Sequence, residues 1–469
     1  MALSRIWASF IIVAVLAACF QTILQPGRND IFNKMVVGKA GDTSRTKTED
    51  SLLIQPGLMK ALDSVKEIKY GEVKFTRAAD GKIISFVEQQ ADGIIATCKT
   101  AVDISINLVG IMALFMGFMS IAERAGGIRI LSRIIGPFFS RLFPDLPKNH
   151  PAMGHMMMNF SANLLGLDNA ATPFGIKAME SLQEINPKKE TASNSQIMFL
   201  CLHASGLTLI PVSIIAARAS LKAANPTDIF VPCMIATFVA TVAAMMIVSY
   251  KQKINIFQPV ILLWILGVSS VIALLVIYLK TLTYPGVQTF SGVLSNGLIL
   301  LIFFLIILGA LYKKINIFEA FVAGAKGGFE TAVRIIPYLV GMLVAISMLR
   351  TSGTFDVIIQ GMKHLFALFG TDTRFVDGLP TALIKPLSGS AARGMMIDTM
   401  KIYSPDSFAG RLACILQGSS DTTFYVVAVY FGAVSIKNTR YAIGAMLLAD
   451  LVGIVTSIVL CYLFFGNIA

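Results

Sequence analysis

The sequence predicts an all-α polytopic membrane protein with about nine transmembrane helices and two re-entrant helical hairpins. Of its 469 residues, 55% are hydrophobic and only 14% are charged, and the mean hydropathy is +0.72. Apolar segments of about 20 residues, the length that crosses a bilayer, recur along most of the chain. This composition excludes a soluble nucleic-acid-binding protein, although 39 Lys and Arg residues outnumber 27 Asp and Glu residues.

Apolar runs define the predicted transmembrane segments. These are 6–24, 101–122, 196–217, 229–250, 257–279, 288–311, 333–349, 412–434 and 441–465. Two further segments, 150–182 and 378–402, are interrupted by Pro, Gly, Asn and Ser. Irregular backbone at membrane depth is tolerated only inside protein or against a wet cavity, so we predict two re-entrant hairpins. Each follows an amphipathic segment, 126–143 or 354–369, that we expect in the interface.

Basic residues in the loops predict the orientation. A cytoplasmic N-terminus in a bacterial inner membrane places most loop Lys and Arg residues in the cytoplasm. Segment 25–95 is then an extracytoplasmic insert, and strand-like runs at 72–75 and 82–86 predict a small β-hairpin within it. A competing interpretation of the N-terminus is a cleaved lipoprotein signal ending at Cys19. The six cysteines contain no CxxC pair and are predicted to be buried free thiols.

The two halves of the chain follow the same order of predicted elements. An apolar span, an amphipathic segment, a polar hairpin and a polar-interrupted span occur in both, and aligning Ser205-Gly206-Leu207-Thr208 with Ser420-Asp421-Thr422-Thr423 matches the interruptions. Five predicted crossings separate the starts of the repeats, and an odd number reverses the chain direction. Inverted repeats with discontinuous helices are typical of secondary transporters, which bind substrate near the midplane.

Polar and ionisable residues cluster at the interruptions. Because such groups are costly inside a membrane unless paired or hydrated, their clustering predicts a functional site. The predicted substrate-binding residues are Asn163, Asp168, Asn169, Thr172, His203, Ser205, Lys385, Ser388, Ser390, Arg393, Gln417, Ser420, Asp421 and Thr422. Their carboxylate, amide, hydroxyl and cationic groups suit a polar or anionic small molecule. No cofactor or enzyme activity is expected, and H+ or Na+ coupling through Asp168 and Asp421 is a hypothesis.

Structural roles are the alternative for these residues. Hydroxyls such as Ser205 and Ser388 often bond only to neighbouring helices. Lys385 and Asp421 could form a purely structural ion pair, and a lone His203 is often a packing residue. Two other chemistries fit less well: a soft-metal path through His155 and nearby methionines has no fixed ligand spacing, and a Lys385–Ser388 nucleophile pair has no readable oxyanion arrangement.

Glycines near residue 326 suggest packing rather than phosphate binding. Gly324, Gly327 and Gly328 surround Lys326 without the GxxxxGK[ST] pattern of a phosphate-binding loop. Small residues allow helices to approach closely in membranes. We therefore predict a helix contact at these glycines.

Two groups of motifs resemble known families. The run PAMGHMMMNFSANLLGLDNAATPFGIKAM at 151–179 resembles spore maturation protein A. The run GFETAVRIIPYLVGMLVAISMLR at 328–350, with KPLSGSAARGMM at 385–396 and GSSDTTFYVVAVYFG at 418–432, resembles spore maturation protein B. The chain thus looks like a fusion of the two. The resemblance implies a nucleoside recognition, or Gate, domain in each half and membrane transport, without identifying a solute.

These observations predict the following domain organisation and function. The domains are an N-terminal anchor (1–24), the insert (25–95), a spore maturation A-like Gate repeat (96–250), linking helices (251–327) and a spore maturation B-like Gate repeat (328–469). We expect a secondary transporter or flux pathway for a nucleoside-like or small anionic solute, working by alternating access. Its partners would be membrane lipid and the solute, with a homodimer possible. The alternative is a non-transporting membrane factor that supports envelope or spore-cortex maturation through protein partners.

Overall fold

The computed structural model describes residues 2–24, 31–38, 67–70, 73–77, 83–87, 93–147, 150–164, 168–208, 210–282 and 284–466. Within these residues the protein is a helical, polytopic membrane protein with one small sheet. Seven described helices are long and apolar enough to cross a membrane, namely Ile94–Arg124, Phe230–Gln252, Pro259–Leu279, Val293–Tyr312, Ile317–Thr351, Phe408–Phe431 and Ala442–Phe465. A shorter apolar helix, Trp7–Ile23, lies in the predicted first span.

The helices of the first half follow the predicted order. The N-terminal helices are α1 (Ala2–Leu24) and α2 (Ile31–Val36). They are followed by α3 (Ile94–Arg124), α4 (Gly127–Phe139), α5 (Pro151–Leu164), α6 (Asp168–Glu184), α7 (Asn194–Ala204), α8 (Val212–Ser220) and α9 (Phe230–Gln252). The amphipathic segment corresponds to α4, and the first predicted hairpin corresponds to α5 and α6.

The second half repeats this order after two linking helices. The linking helices are α10 (Pro259–Thr281) and α11 (Tyr284–Tyr312). The second half contains α12 (Ile317–Thr351), α13 (Thr354–Ala367), a 3-10 turn (Arg374–Asp377), α14 (Leu379–Ile384), α15 (Gly389–Tyr403), α16 (Phe408–Gly418), α17 (Thr423–Val426), a π-helical turn (Val427–Phe431) and α18 (Ala442–Phe465). Here α13 is the amphipathic segment, and α14 and α15 occupy the second predicted hairpin.

The predicted span 196–217 is not one helix. It forms α7 and α8, which are separated at residues 205–211. Helix α7 begins with a capping box, in which the Ser193 side chain accepts from the Gln196 N–H and the Gln196 side chain accepts from the Ser193 N–H. It ends at Ala204 because Gly206 adopts a φ of +65°, which a helix does not accommodate. The polar interruption predicted in this span therefore lies at residues 205–211.

The structural equivalence of the two halves differs by one residue from the predicted sequence alignment. Helix α16 is capped by Ser407, as α7 is by Ser193. Ser205 Oγ then donates to the Leu202 carbonyl at the end of α7, and Ser419 Oγ donates to the Leu416 carbonyl at the end of α16. These equivalences pair Ser205 with Ser419, not with Ser420 as the sequence alignment predicted.

Helices α3 and α12 pack antiparallel and in close contact. A Cβ atom at Gly324 would lie 2.4 Å from the Met116 carbonyl oxygen, and one at Gly328 would lie 2.7 Å from the Met112 carbonyl oxygen. The predicted helix contact is thus confirmed for these two glycines. It was wrong for Gly327, where a Cβ atom would meet nothing within 4 Å.

A three-stranded antiparallel sheet lies in the insert. Its strands are β1 (Glu67–Tyr70), β2 (Val73–Arg77) and β3 (Ile83–Val87), paired in that order. The predicted hairpin corresponds to β2 and β3, whereas β1 was not predicted. Segments 25–30 and 39–66 of the insert lie outside the described residues.

The cysteines differ partly from the prediction. All six are free, and four of them are buried. Cys19 and Cys98, in α1 and α3, are only partly buried. The prediction that every cysteine is buried was therefore wrong for these two.

Loops of the two halves contact each other at both ends of α9. Near its C-terminal end, Gln252 Nε2 donates to the Asn194 carbonyl, and the adjoining Glu190 carbonyl accepts from the Lys437 and Asn438 N–H groups. We call the contact of residues 190–194 with 437–440 the backbone clasp. Its Lys437–Glu190 ion pair is exposed, with side-chain exposures of 73% and 68%.

The contact at the N-terminal end of α9 is made by buried charges. Arg218 Nη2 lies 2.9 Å from Asp228 Oδ1 and 3.1 Å from Asp406 Oδ1. Arg411 Nε donates to Asp228 Oδ2 at 2.8 Å. Arg218 is fully buried, at 0% exposure. We call Arg218, Asp228, Asp406 and Arg411 the ionic clasp.

Candidate binding cavity

A polar cavity of about 370 Å3 lies where the two interrupted spans cross. It is lined by Asn163, Thr172, His203, Gly206, Thr208, Ile210, Pro211, Val212, Ser213, Ile214, Lys385, Gly389, Arg393, Gln417, Gly418, Ser420, Asp421, Thr422, Tyr425 and Tyr430. The crossing is held by the Asp421 N–H, which donates to the Ala204 carbonyl at 2.7 Å. Both halves therefore contribute backbone and side chains to one cavity.

Glycine is needed at this crossing. Gly206 has a positive φ, and a Cβ atom there would lie 3.1 Å from the Asp421 backbone nitrogen. At the start of α15, a Cβ atom on Gly389 would lie 2.5 Å from Thr422 Oγ1. At Gly206 the main chain approaches the interruption of the other half, and at Gly389 it approaches Thr422 in the interruption of the same half. A larger residue at Gly389 would push Thr422 or α15 away.

The basic groups come from the hairpin of the second half. Lys385 is 8% exposed and its Nζ donates to the Gln417 carbonyl at 2.8 Å. That carbonyl is in the last turn of α16, where a cation is favourable because the final carbonyl groups have no helical partner. Arg393, on α15, also lines this cavity.

Asp421 and His203 form a second polar part of the cavity lining. The Asp421 side chain is 43% exposed, and its Oδ2 lies 3.8 Å from His203 Nε2. His203 Nδ1 lies 2.8 Å from Asn163 Nδ2 and 3.0 Å from Asn159 Oδ1. A neutral ring nitrogen accepts from the first amide, and a protonated one donates to the second. The Tyr430 ring packs edge-on against His203, with 4.8 Å between ring centroids.

Most of the predicted binding residues line this cavity. Those that do are Asn163, Thr172, His203, Lys385, Arg393, Gln417, Ser420, Asp421 and Thr422. The side chains of Asp168 and Asn169 lie outside those that the structure describes. Sequence patterns thus located the crossing of the two interruptions.

Three predicted binding residues lie away from the lining. Ser205 is buried and donates to the Leu202 carbonyl and Thr241 Oγ1. Ser388 accepts from the Ala391 N–H as the N-cap of α15. Ser390 is exposed in the next turn. Serines at helix ends readily form hydrogen bonds with nearby backbone groups, and Ser205 and Ser388 do so here.

Asp450 is the acidic residue of this region that the sequence analysis missed. It lies in α18 and is 4% exposed. Thr423 Oγ1 donates to its Oδ2 at 2.6 Å, and Ser420 also hydrogen-bonds to it. A signal existed, because Asp450 is the one charged residue in the apolar segment Ala442–Phe465. Tyr425, Tyr430 and Ser213 are lining residues that were also not predicted.

In the described part of the chain, no group of three or more His, Cys, Asp or Glu residues is arranged to hold a metal ion.

The fold and cavity define a class of protein: a polytopic membrane protein whose two halves together line one polar cavity. The family described as Gate, nucleoside recognition, matches residues 105–221 and 332–437. Spore maturation protein B of Bacillus subtilis (strain 168) is 50% identical over 174 residues, which are 37% of this chain and 96% of that protein. Spore maturation protein A of the same organism is 43% identical over 159 residues, which are 34% of this chain and 81% of that protein.

The chain therefore belongs to the spore maturation protein family and joins an A-like and a B-like part in one polypeptide. No solved structure matches it.

Proposed function

We propose that the protein transports a small polar solute, nucleoside-like or anionic, by alternating access of two inverted repeats in the bacterial inner membrane, with its N-terminus in the cytoplasm. The observation that carries this proposal is the polar cavity of about 370 Å3 at the crossing of two interrupted spans. Small-molecule sites have volumes of about 300–1,000 Å3 and a few convergent polar groups. A midplane site between discontinuous helices is the plan of many secondary transporters.

Contacts between the halves support the inverted arrangement. The equivalent first helices, α3 and α12, are antiparallel, as inversion requires. The loop before α7 contacts the loop after the π-helical turn, whereas the loop before α16 contacts the loop after α8. These exchanged contacts lie at opposite ends of α9. Such reciprocity is expected when two repeats are related by an axis in the membrane plane.

The cavity groups support a solute that carries both hydrogen-bonding and charged groups. Lys385 and Arg393 supply cations, while Asp421 and His203 face them with an acidic and a titratable group. Tyr425 and Tyr430 add aromatic surface. Aromatic side chains with a few fixed polar groups suit a nucleobase or a small anionic metabolite. The family description as nucleoside recognition points to the first of these.

A thermal-shift screen tests binding. The detergent-purified protein is heated with nucleosides, dicarboxylates, amino acids and metal ions in turn. A ligand at about 100 times its dissociation constant stabilises the folded state by about 2.7 kcal/mol. We expect one solute class to raise the melting temperature, and Lys385→Met and Asp421→Asn to abolish that rise.

Lys437→Met is the matched control because its ion pair is exposed in the backbone clasp, away from the cavity lining. It should keep the full ligand-induced rise. If every solute class leaves all three variants and the parent protein unchanged, the non-transporting scaffold becomes the better explanation.

A further inference from the structure

Asp450 connects to the cavity through one hydroxyl group. Ser420 lines the cavity and hydrogen-bonds to the Asp450 carboxylate. On the other side, Thr423, which is fully buried at the start of α17, donates to the same carboxylate. The carboxylate therefore adjoins the cavity lining at Ser420, although it is almost completely buried.

The partners of Asp450 suit both of its protonation states. A carboxylate only accepts hydrogen bonds, whereas a carboxylic acid must also donate one. A hydroxyl can donate to the first and, after rotation, accept from the second. Thr423 and Ser420 can thus satisfy Asp450 with or without a proton. A Lys donor in their place would favour the ionised form alone.

Charged and titratable groups approach Asp450 from several of the elements packed around it. The groups that act on it electrostatically are Lys385 from the second hairpin and Asp421 from the second interruption. Cys201 faces it from α7. Helix α9 presents apolar Ala240 to the following turn of α18, at Gly453. On α16, Arg411 lies over the Phe465 ring, at the far end of α18.

We propose that Asp450 is a reversible proton-binding site, linked to occupancy of the cavity through Ser420 and Lys385. This inference rests on the proposed transport function and names H+ as its coupling ion. A proton from cavity water binds a carboxylate oxygen of Asp450 and leaves a neutral acid. Protonation removes one charge from the membrane interior, which lowers the cost of moving this region relative to the other half.

Solute and proton then assist each other. The positive charge of Lys385 favours the ionised form of Asp450, and an anionic solute bound at Lys385 cancels that charge. Proton binding to Asp450 consequently becomes more favourable when the solute is bound. By linkage, a proton on Asp450 strengthens solute binding by the same factor. This predicts movement of solute and proton in the same direction.

Infrared difference spectroscopy of the purified full-length protein tests the proton site without a solute. A protonated buried carboxyl group gives a C=O stretching band that is separate from carboxylate bands and shifts in D2O. We expect such a band to grow as the pH is lowered and to be absent in Asp450→Asn. Asp372→Asn is the matched control and should keep the band, because the Asp372 side chain is 42% exposed beside Arg374 and does not line the cavity.

Asp450→Glu distinguishes loss of the carboxyl group from misfolding. It keeps a titratable group and should therefore move the band rather than remove it. The proposal is overturned if the band is unchanged in both Asp450 variants, or if it is present at full intensity at every pH. Its failure differs from failure of transport. The pH-dependent band requires no solute, whereas a ligand found by thermal shift does not require the band.

Discussion

At the scale of single residues, the ionic clasp differs from the backbone clasp because most of its charged side chains are buried. Asp228 forms an ion pair with Arg218, accepts a hydrogen bond from Arg411 Nε, and is 6% exposed. Its removal leaves two buried guanidinium groups that share the partly exposed carboxylate of Asp406, so one positive charge becomes uncompensated. An uncompensated buried charge is much more costly than a lost surface pair.

We expect Asp228→Asn to lower the free energy of unfolding by about 3–5 kcal/mol, the usual cost of breaking a buried ion pair. Chemical denaturation in detergent measures this loss. Glu190→Gln is the control, since an exposed pair is worth about 0–1 kcal/mol. Equal destabilisation by the two variants would contradict the role given to the buried charges.

At the residue level, the sequence singles out polar side chains that interrupt an apolar segment. Lys385, Asp421 and His203 stand out for this reason and all line the cavity. The ionic clasp could not be predicted, because Arg218 and Asp406 are 188 positions apart and only the fold brings them together. Asp450 was not predicted because a single charged residue hardly changes the length and hydropathy of the apolar segment around it.

At the scale of elements, close helix packing depends on particular glycines. Helices α3 and α12 meet where Gly324 and Gly328 leave no room for a side chain, whereas Gly327 faces open space on the same helix. This contrast provides a comparison within one turn of α12.

Gly324→Ala should destabilise the protein by about 1–3 kcal/mol, as overpacking commonly does. The new methyl group would approach the Met116 carbonyl oxygen to 2.4 Å, so the two helices must separate. Gly327→Ala should instead be neutral or stabilising by up to about 1 kcal/mol, because alanine favours the helix. Melting temperatures of the two variants in the same detergent decide the matter, and a stable Gly324→Ala protein would show that the contact is not tight.

Element boundaries were predicted less well than element types. The long helices α3 and α12 extend beyond the apolar runs at 101–122 and 333–349, since their polar ends still satisfy helical hydrogen bonds. The one-residue error in the alignment of the halves has a similar cause. Hydropathy locates an interruption only approximately, whereas the caps Ser193 and Ser407 define where α7 and α16 begin.

At the scale of the whole molecule, alternating access requires the cavity to reach each side in turn. Thr208 lines the cavity in the first interruption. We replace it by Cys in a background in which the partly buried Cys19 and Cys98 are Ser, because the four remaining cysteines are buried. Membrane-impermeant thiol reagents should label Thr208→Cys from both sides in a transporter.

Cross-linking then tests the movement of one half against the other. Glu190 and Lys437 adjoin each other in the backbone clasp, so cysteines at both positions can be linked by a bifunctional thiol reagent before labelling. The link should block labelling of Thr208→Cys from that side and leave the other side open. Ser457→Cys, buried in α18, is the unreactive control. Labelling that ignores the cross-link would argue for a static scaffold.

The proposed alternating access would make the two clasps open in turn, and the clasps differ in how much buried charge they hold. Opening the ionic clasp would bring the buried side chains of Arg218, Asp228 and Arg411 into contact with water, whereas the backbone clasp already holds its ion pair in water. The two openings therefore take up different amounts of hydration. Osmolytes such as sucrose, which are excluded from protein surface, disfavour the more hydrated state. Osmotic stress should consequently shift the resting population of such a transporter toward closure at the ionic clasp, so that its conformation would respond to water activity as well as to the solute.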